Sequence, residues 1–160
     1  MQHCEVMESP EDDCACNVIS RRSFLGGTAL IVLPVLCGGC NHDGSTIIDL
    51  PAVANNAIVI PLEGFPMLTE VGGSIVGKAD GHANPIAIAR VDDATFTALD
   101  AICTHMQCTV SYNALNITFD CPCHHSSYEI DGTVIAGPAV RPLRTFTASS
   151  DGANLTITLA

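Results

Sequence analysis

Two short stretches late in the chain, "CTHMQC" at 103–108 and "CPCHHS" at 121–126, each place two cysteines and at least one histidine within six residues. Thiols and imidazoles at that density form a metal-ligand pattern, so the fold must bring both stretches to one ion or cluster. The spacing reads Cys103-x-His105, fifteen residues, then Cys121-x-x-His124. Two thiolates and two imidazoles satisfy one tetrahedral zinc ion. They equally satisfy a [2Fe–2S] cluster in which one iron takes the two thiolates and the other the two histidines. Zinc leaves Cys108 and Cys123 unexplained.

The scaffold around these stretches reads as all-β. From residue 46 onward, "STIIDL", "NAIVIPL", "NPIAIARV", "ATFTALDAI", "CTVSY", "NITFD", "GTVIAG" and "ANLTITLA" are short runs rich in Ile, Val and Thr. Gly, Pro, Asn and Asp punctuate them, and Asp80-Gly81, Asp131-Gly132 and Asp151-Gly152 are turn signals. No sustained helical period and no internal repeat follows residue 46. The expected architecture is an antiparallel β-sandwich over 57–160 with both cysteine stretches on loops at about 101–140, preceded by a linker at 40–56.

Composition excludes other classes. Hydrophobic residues make up 48% of 160, too many for a disordered chain. The net charge is −11, and the four Lys/Arg after position 40 (Lys78, Arg90, Arg141, Arg144) are scattered, which excludes a nucleic-acid surface. The acidity serves solubility and steers the chain toward basic protein partners.

The two stretches resemble the C-T-H-x-x-C and C-P-C-H-x-S boxes of the Rieske family, and "GPAVRPL" at 137–143, with Gly137 and Pro138, resembles its proline loop. That resemblance implies a [2Fe–2S] cluster with Cys103 and Cys121 on one iron, His105 and His124 on the other, and Cys108 and Cys123 joined as a disulfide between the loops. It also implies that Ser126 and Tyr128 donate hydrogen bonds to a cluster sulfide and a ligand sulfur, raising the potential. Two positions depart from the pattern: Gln107 and His125 stand where the family often has Gly. His125, His42 and His82 read as surface histidines.

Within the family, the 17 residues after Leu143 hold no second iron site of the oxygenase kind, and soluble Rieske ferredoxins usually lack the second cysteine of each box. The chain resembles the exported branch, the iron–sulfur subunits of cytochrome bc-type complexes and the small subunit of arsenite oxidase. The resemblance implies one-electron transfer from quinol to a cytochrome acceptor, beside a membrane cytochrome b-type subunit that completes the quinone pocket. It implies no catalytic site in this chain itself. The alternatives are an electron-transfer subunit of an exported oxidase and a freestanding lipid-anchored carrier.

The front of the chain fits export. "SRRSFL" at 20–25, with Arg21 and Arg22, resembles a twin-arginine signal, and "GGTALIVLPVLCGG" at 26–39 supplies an uncharged core of 14 residues, shorter than a membrane span. "VLCGGC" resembles a lipoprotein processing site with Cys40 as the lipid-bearing residue; an uncleaved signal-anchor helix is the alternative. Cleavage after residue 39 removes Cys4, Cys14, Cys16 and Cys37 and leaves five cysteines, one for lipid and four for the two boxes. Arg21→Lys with Arg22→Lys should therefore hold the protein in the cytoplasm, measured by fractionation. Labelled palmitate should enter the wild type but not Cys40→Ala; a membrane-bound wild type without label identifies the anchor helix instead.

Overall fold

The structure, a computed structural model, describes residues 46–159. Arg21, Arg22, Cys40, His42 and the signal lie outside them. Among the described residues no helix is long and apolar enough to cross a membrane. The strands are β1 (Ile47–Leu50), β2 (Ala57–Pro61), β3 (Ser74–Ala79), β4 (Ile86–Arg90), β5 (Phe96–Asp100), β6 (Ser111–Asn113), β7 (Thr118–Asp120), β8 (Ser127–Tyr128), β9 (Val134–Ala136), β10 (Thr145–Ser150) and β11 (Asn154–Thr158). One seven-stranded sheet runs β1-β3-β4-β5-β10-β11-β2, and a four-stranded sheet runs β6-β7-β8-β9.

Alternation of side chains explains how the two sheets share a scaffold. In β4, Ile86 and Ile88 point one way and Ala87 and Ala89 the other, and all four are buried. The isoleucines meet Ile58 and Ile60 of β2, Ile75 of β3, and Leu155 and Ile157 of β11. Since β2 and β11 lie at the far end of the same sheet from β3 and β4, that sheet folds over on itself to enclose the main core. Each isoleucine contributes about 1.5–3 kcal/mol through burial. The alanines of β4, with Leu99 of β5, face a second core of Val110, Phe119, Tyr128 and Leu143, where the small sheet docks. Small side chains on this face let the second layer approach closely.

Most of the strand runs read from the sequence are present, and the all-β expectation holds. β3, β8 and β10 were not among them. In β3 the apolar run of the sequence is broken by Gly77 and Lys78. β8 is two residues long, and β10 ("TFTASS") buries only Phe146. β1, part of the run "STIIDL", corrects one further expectation: it pairs with β3 in parallel, not antiparallel. Its anchor is Leu50, which packs over Gly77 in the space a β-carbon would occupy, 2.4 Å from the Leu50 Cγ. Asp131 and Asp151 form the expected turns by accepting the backbone N–H two residues on.

Gly77→Val should push Leu50 out and release β1, costing roughly 1–3 kcal/mol in denaturant unfolding. Adding Leu50→Ala should cost less in the Gly77→Val background than in the parent, because the two residues share one space. Strictly additive losses would show that Leu50 does not depend on Gly77.

Candidate metal centre

The two cysteine–histidine loops are built to one backbone plan. In the first, which follows β5, the Cys103 N–H donates to the Cys108 carbonyl at 2.8 Å and the Gln107 N–H to the Cys103 carbonyl at 3.0 Å. In the second, between β7 and β8, the Cys121 N–H donates to the Ser126 carbonyl at 2.8 Å and the His125 N–H to the Cys121 carbonyl at 3.0 Å. The offsets of five and four residues are the same in both loops. Closing each loop this way requires a left-handed residue at the fifth of its six positions: Gln107 has φ 61° and His125 has φ 57°. These are the two positions where the sequence departs from the family's glycine, and the backbone accounts for the preference.

The donors divide by depth. Cys103 and Cys121 are 1% and 2% exposed and are free thiols. His105 and His124 are exposed, with ring centres 4.9 Å apart and planes nearly perpendicular. Cys108 and Cys123 form a disulfide, the pairing the resemblance implied. Their sulfurs and that of Cys121 all lie within 4.8 Å of one another, but two of the three are used in the bond, so this trio offers one ligand only.

Burial raises the pKa of both free thiols, and their neighbours then separate them. At Cys103 the Tyr128 hydroxyl and the N–H groups of His105 and Met106 outweigh burial, so its thiol is held below the usual range. At Cys121 burial prevails, assisted by Cys103, over the N–H groups of Cys123 and His124, and the thiol is pushed up. The loops therefore present N–H donors to sulfur that carries negative charge.

Tyr128 is fully buried, with its oxygen 3.2 Å from Cys103 Sγ. The Thr104 N–H donates to that oxygen at 3.3 Å, and the Thr104 hydroxyl donates to the Arg141 carbonyl at 2.7 Å. The phenolic proton is thus free to point at the Cys103 sulfur or be shared with Thr104 Oγ1. Ser126 Oγ, also fully buried, accepts the Ala139 N–H at 3.1 Å and keeps its own proton for donation. Gly137 brings the proline loop against the second ligand loop: a β-carbon there would stand 2.5 Å from Ser126 Cα and 2.6 Å from the His125 carbonyl oxygen.

Sequence reasoning missed three residues that hold these loops. Thr104 ties the first loop to the proline loop. Asp100 accepts the Ile102 N–H and the Asn84 amide at the entry to the first loop. Asp120, just before Cys121, accepts from Ser127, Asn113 and Thr118. Burial raises the Asp120 pKa, but these three hydrogen bonds prevail and hold it below the usual carboxylate range. An acidic residue shortly ahead of each loop, three positions before Cys103 and one before Cys121, was the available signal.

Two buried reduced thiols and two surface imidazoles, gathered at one end and fed by backbone N–H donors, fit an iron–sulfur group with mixed S and N ligation. The Rieske [2Fe–2S] domain model matches residues 68–147, half of the chain. The chain belongs to the Rieske [2Fe–2S] domain family. The group such a domain carries is a [2Fe–2S] cluster. This Rieske domain is 49% identical over 57 residues to a cytochrome b6-f complex iron-sulfur subunit of Synechococcus, a match covering 36% of this chain and 33% of that one. It is 32% identical over 94 residues to cytochrome b6-f complex iron-sulfur subunit 2 of Trichormus variabilis, covering 58% of this chain and 53% of that one. The matched segments thus span a third to about half of these relatives. Among solved structures, the ferredoxin of carbazole 1,9a-dioxygenase from Nocardioides aromaticivorans aligns with TM-score 0.52 at 21% identity, over 64% of this chain and 95% of that one, and shares the fold.

Gly137→Ala should destabilise the Rieske domain by at least about 2 kcal/mol, because the three nearest atoms its methyl would meet are all backbone. His125→Gly should instead gain about 1 kcal/mol by removing a β-carbon from a left-handed residue. Denaturant unfolding of the two variants beside the parent measures both; an indifferent Gly137→Ala would mean the proline loop does not press on the ligand loop.

Proposed function

We propose that this chain is the iron–sulfur subunit of a quinol-oxidising, cytochrome b-containing complex of the bc or b6f type, with Cys103 and Cys121 on one iron and His105 and His124 on the other. The observation that carries the proposal is the pair of surface imidazoles, 4.9 Å apart, on the same two loops as two buried free thiols. The names of the curated relatives, cytochrome b6-f iron-sulfur subunits, support the same reading. Bound to these four residues, the cluster supplies a reversible one-electron couple.

The residues around it do the rest. With one nitrogen on iron, each imidazole would keep its other nitrogen to accept a hydrogen bond from a quinol hydroxyl and hold the proton released on oxidation. The cavity beside His105 is about 250 Å³ and lined by polar groups including Asn84, Asp100, Gln107 and Arg141. That is smaller than the roughly 300–1,000 Å³ of small-molecule sites, so a quinol at His105 is enclosed by the partner subunit. Met106 and Val140, 62% and 88% exposed, form an apolar rim at the same end for that partner to cover. The Tyr128 and Ser126 hydroxyls favour the more negative, reduced state and raise its potential. In this reading the chain is exported through Arg21 and Arg22 and held at the periplasmic face of the membrane by a lipid on Cys40. A cytochrome is the electron acceptor.

The test begins with holo-protein purified from its native membranes in mild detergent. It should contain two irons and two sulfides per chain by resemblance to the family, co-purify with b-type haem, and be reduced by added quinol. Its midpoint potential should lie in the upper half of the family range of about −150 to +300 mV. Tyr128→Phe should lower it by roughly 40–80 mV, the equivalent of about 1–2 kcal/mol for one lost hydrogen bond. A protein that holds its cluster but purifies without haem and is not reduced by quinol overturns the bc-type assignment.

A further inference from the structure

The sulfur atoms of this site support a second reaction. The Sγ atoms of Cys108, Cys121 and Cys123 lie within 4.8 Å of one another; Cys108 and Cys123 are bonded together, and Cys121 is a free thiol. Near-attack geometry is about 3–3.5 Å, so a side-chain rotation and a small shift bring the thiol onto the disulfide within one folded chain. The second loop carries both Cys121 and Cys123, and the disulfide brings Cys108 of the first loop to them.

We propose that, whenever Cys121 is not held as a metal ligand, it exchanges into the Cys108–Cys123 disulfide, and the chain thereby removes its own ligand. The Cys121 sulfur attacks Cys108 Sγ. A Cys108–Cys121 bond forms, the Cys108–Cys123 bond breaks, and Cys123 leaves as a thiolate that takes up the proton Cys121 gave away. One disulfide and one thiol become one disulfide and one thiol, with no oxidant or reductant consumed. Attack at Cys108 is favoured over attack at Cys123, because the latter closes a small ring around Pro122, whose φ is locked. The product still ties the two loops together, buries the new disulfide at Cys121 and leaves the released thiol at the exposed Cys123.

The reaction needs an existing disulfide and an empty site. Before the disulfide forms, as in a reducing cytoplasm, the four cysteines of the two loops are all thiols and the trap is absent. Once the Cys121 sulfur is engaged as a ligand, it is not free to attack. The chain is therefore built to acquire its metal group first and its disulfide second, an order that suits export of an already folded protein. This inference rests on the ligand assignment proposed above.

The experiment uses the full-length holo-protein under anaerobic conditions. Iron and sulfide are counted first, which tests the ligand assignment separately. An iron chelator then empties the site without reductant. Samples held at neutral pH are quenched in acid, alkylated and mapped by mass spectrometry. The native pair should give way to Cys108–Cys121 over minutes to hours, with Cys123 gaining the alkyl label in step. Protein that keeps its iron should hold the native pair throughout. Exchanged samples should lose uptake of added iron and sulfide, and regain it when dithiothreitol is applied first. If the emptied chain keeps Cys108–Cys123 and labels Cys121 over the same interval, the proposal is overturned, whatever the iron count was.

Discussion

Two loops from different parts of the chain have to face each other, and the bond between Cys108 and Cys123 is what joins them directly. The cysteines are 15 residues apart in sequence, and closing a loop of that length stabilises the fold by roughly 3 kcal/mol. The bond alone would leave each loop free to pivot. Each is therefore closed internally by its own pair of backbone hydrogen bonds, and the proline loop presses on the second through Gly137 and is tied to the first through Thr104. The rigidity of the site is a property of three loops together.

That arrangement sorts the donors by depth. Cys103 and Cys121 sit in the second core beside Tyr128 and Phe119, while His105 and His124 remain in contact with solvent. Buried thiols gain from every N–H aimed at them, because nearby water does not compete for the charge. Surface imidazoles gain access to a partner. One group can then be tuned from the inside and reached from the outside. The close packing of sulfur that makes this compact also places a free thiol beside a disulfide.

The scaffold serves the same end. β4 is buried on both faces, with isoleucines toward the large core and alanines toward the small sheet that carries the second loop. Larger residues at Ala87 and Ala89 would hold the small sheet away and separate Cys121 from Cys103. The hydrogen bonds of Asp100 and Asp120 fix the chain just before each loop begins, so the β framework sets where the donors point.

The all-β texture, most strands, the Asp-Gly turns and the two cysteine–histidine loops were legible in the sequence. These follow from local chemistry: β-branched runs favour extended backbone, and few functions call for two cysteines and a histidine in six residues. β3 and β10 were hidden, since Gly77 is tolerated only because Leu50 fills its place, and "TFTASS" forms a strand because its neighbours need a partner. The parallel pairing of β1, the left-handed backbone at Gln107 and His125, the depth of the thiols and the position of Cys121 against the disulfide were decided by tertiary structure alone. The physical reason is distance along the chain: each depends on groups that meet only after folding, and neither propensity nor spacing records which surfaces will touch.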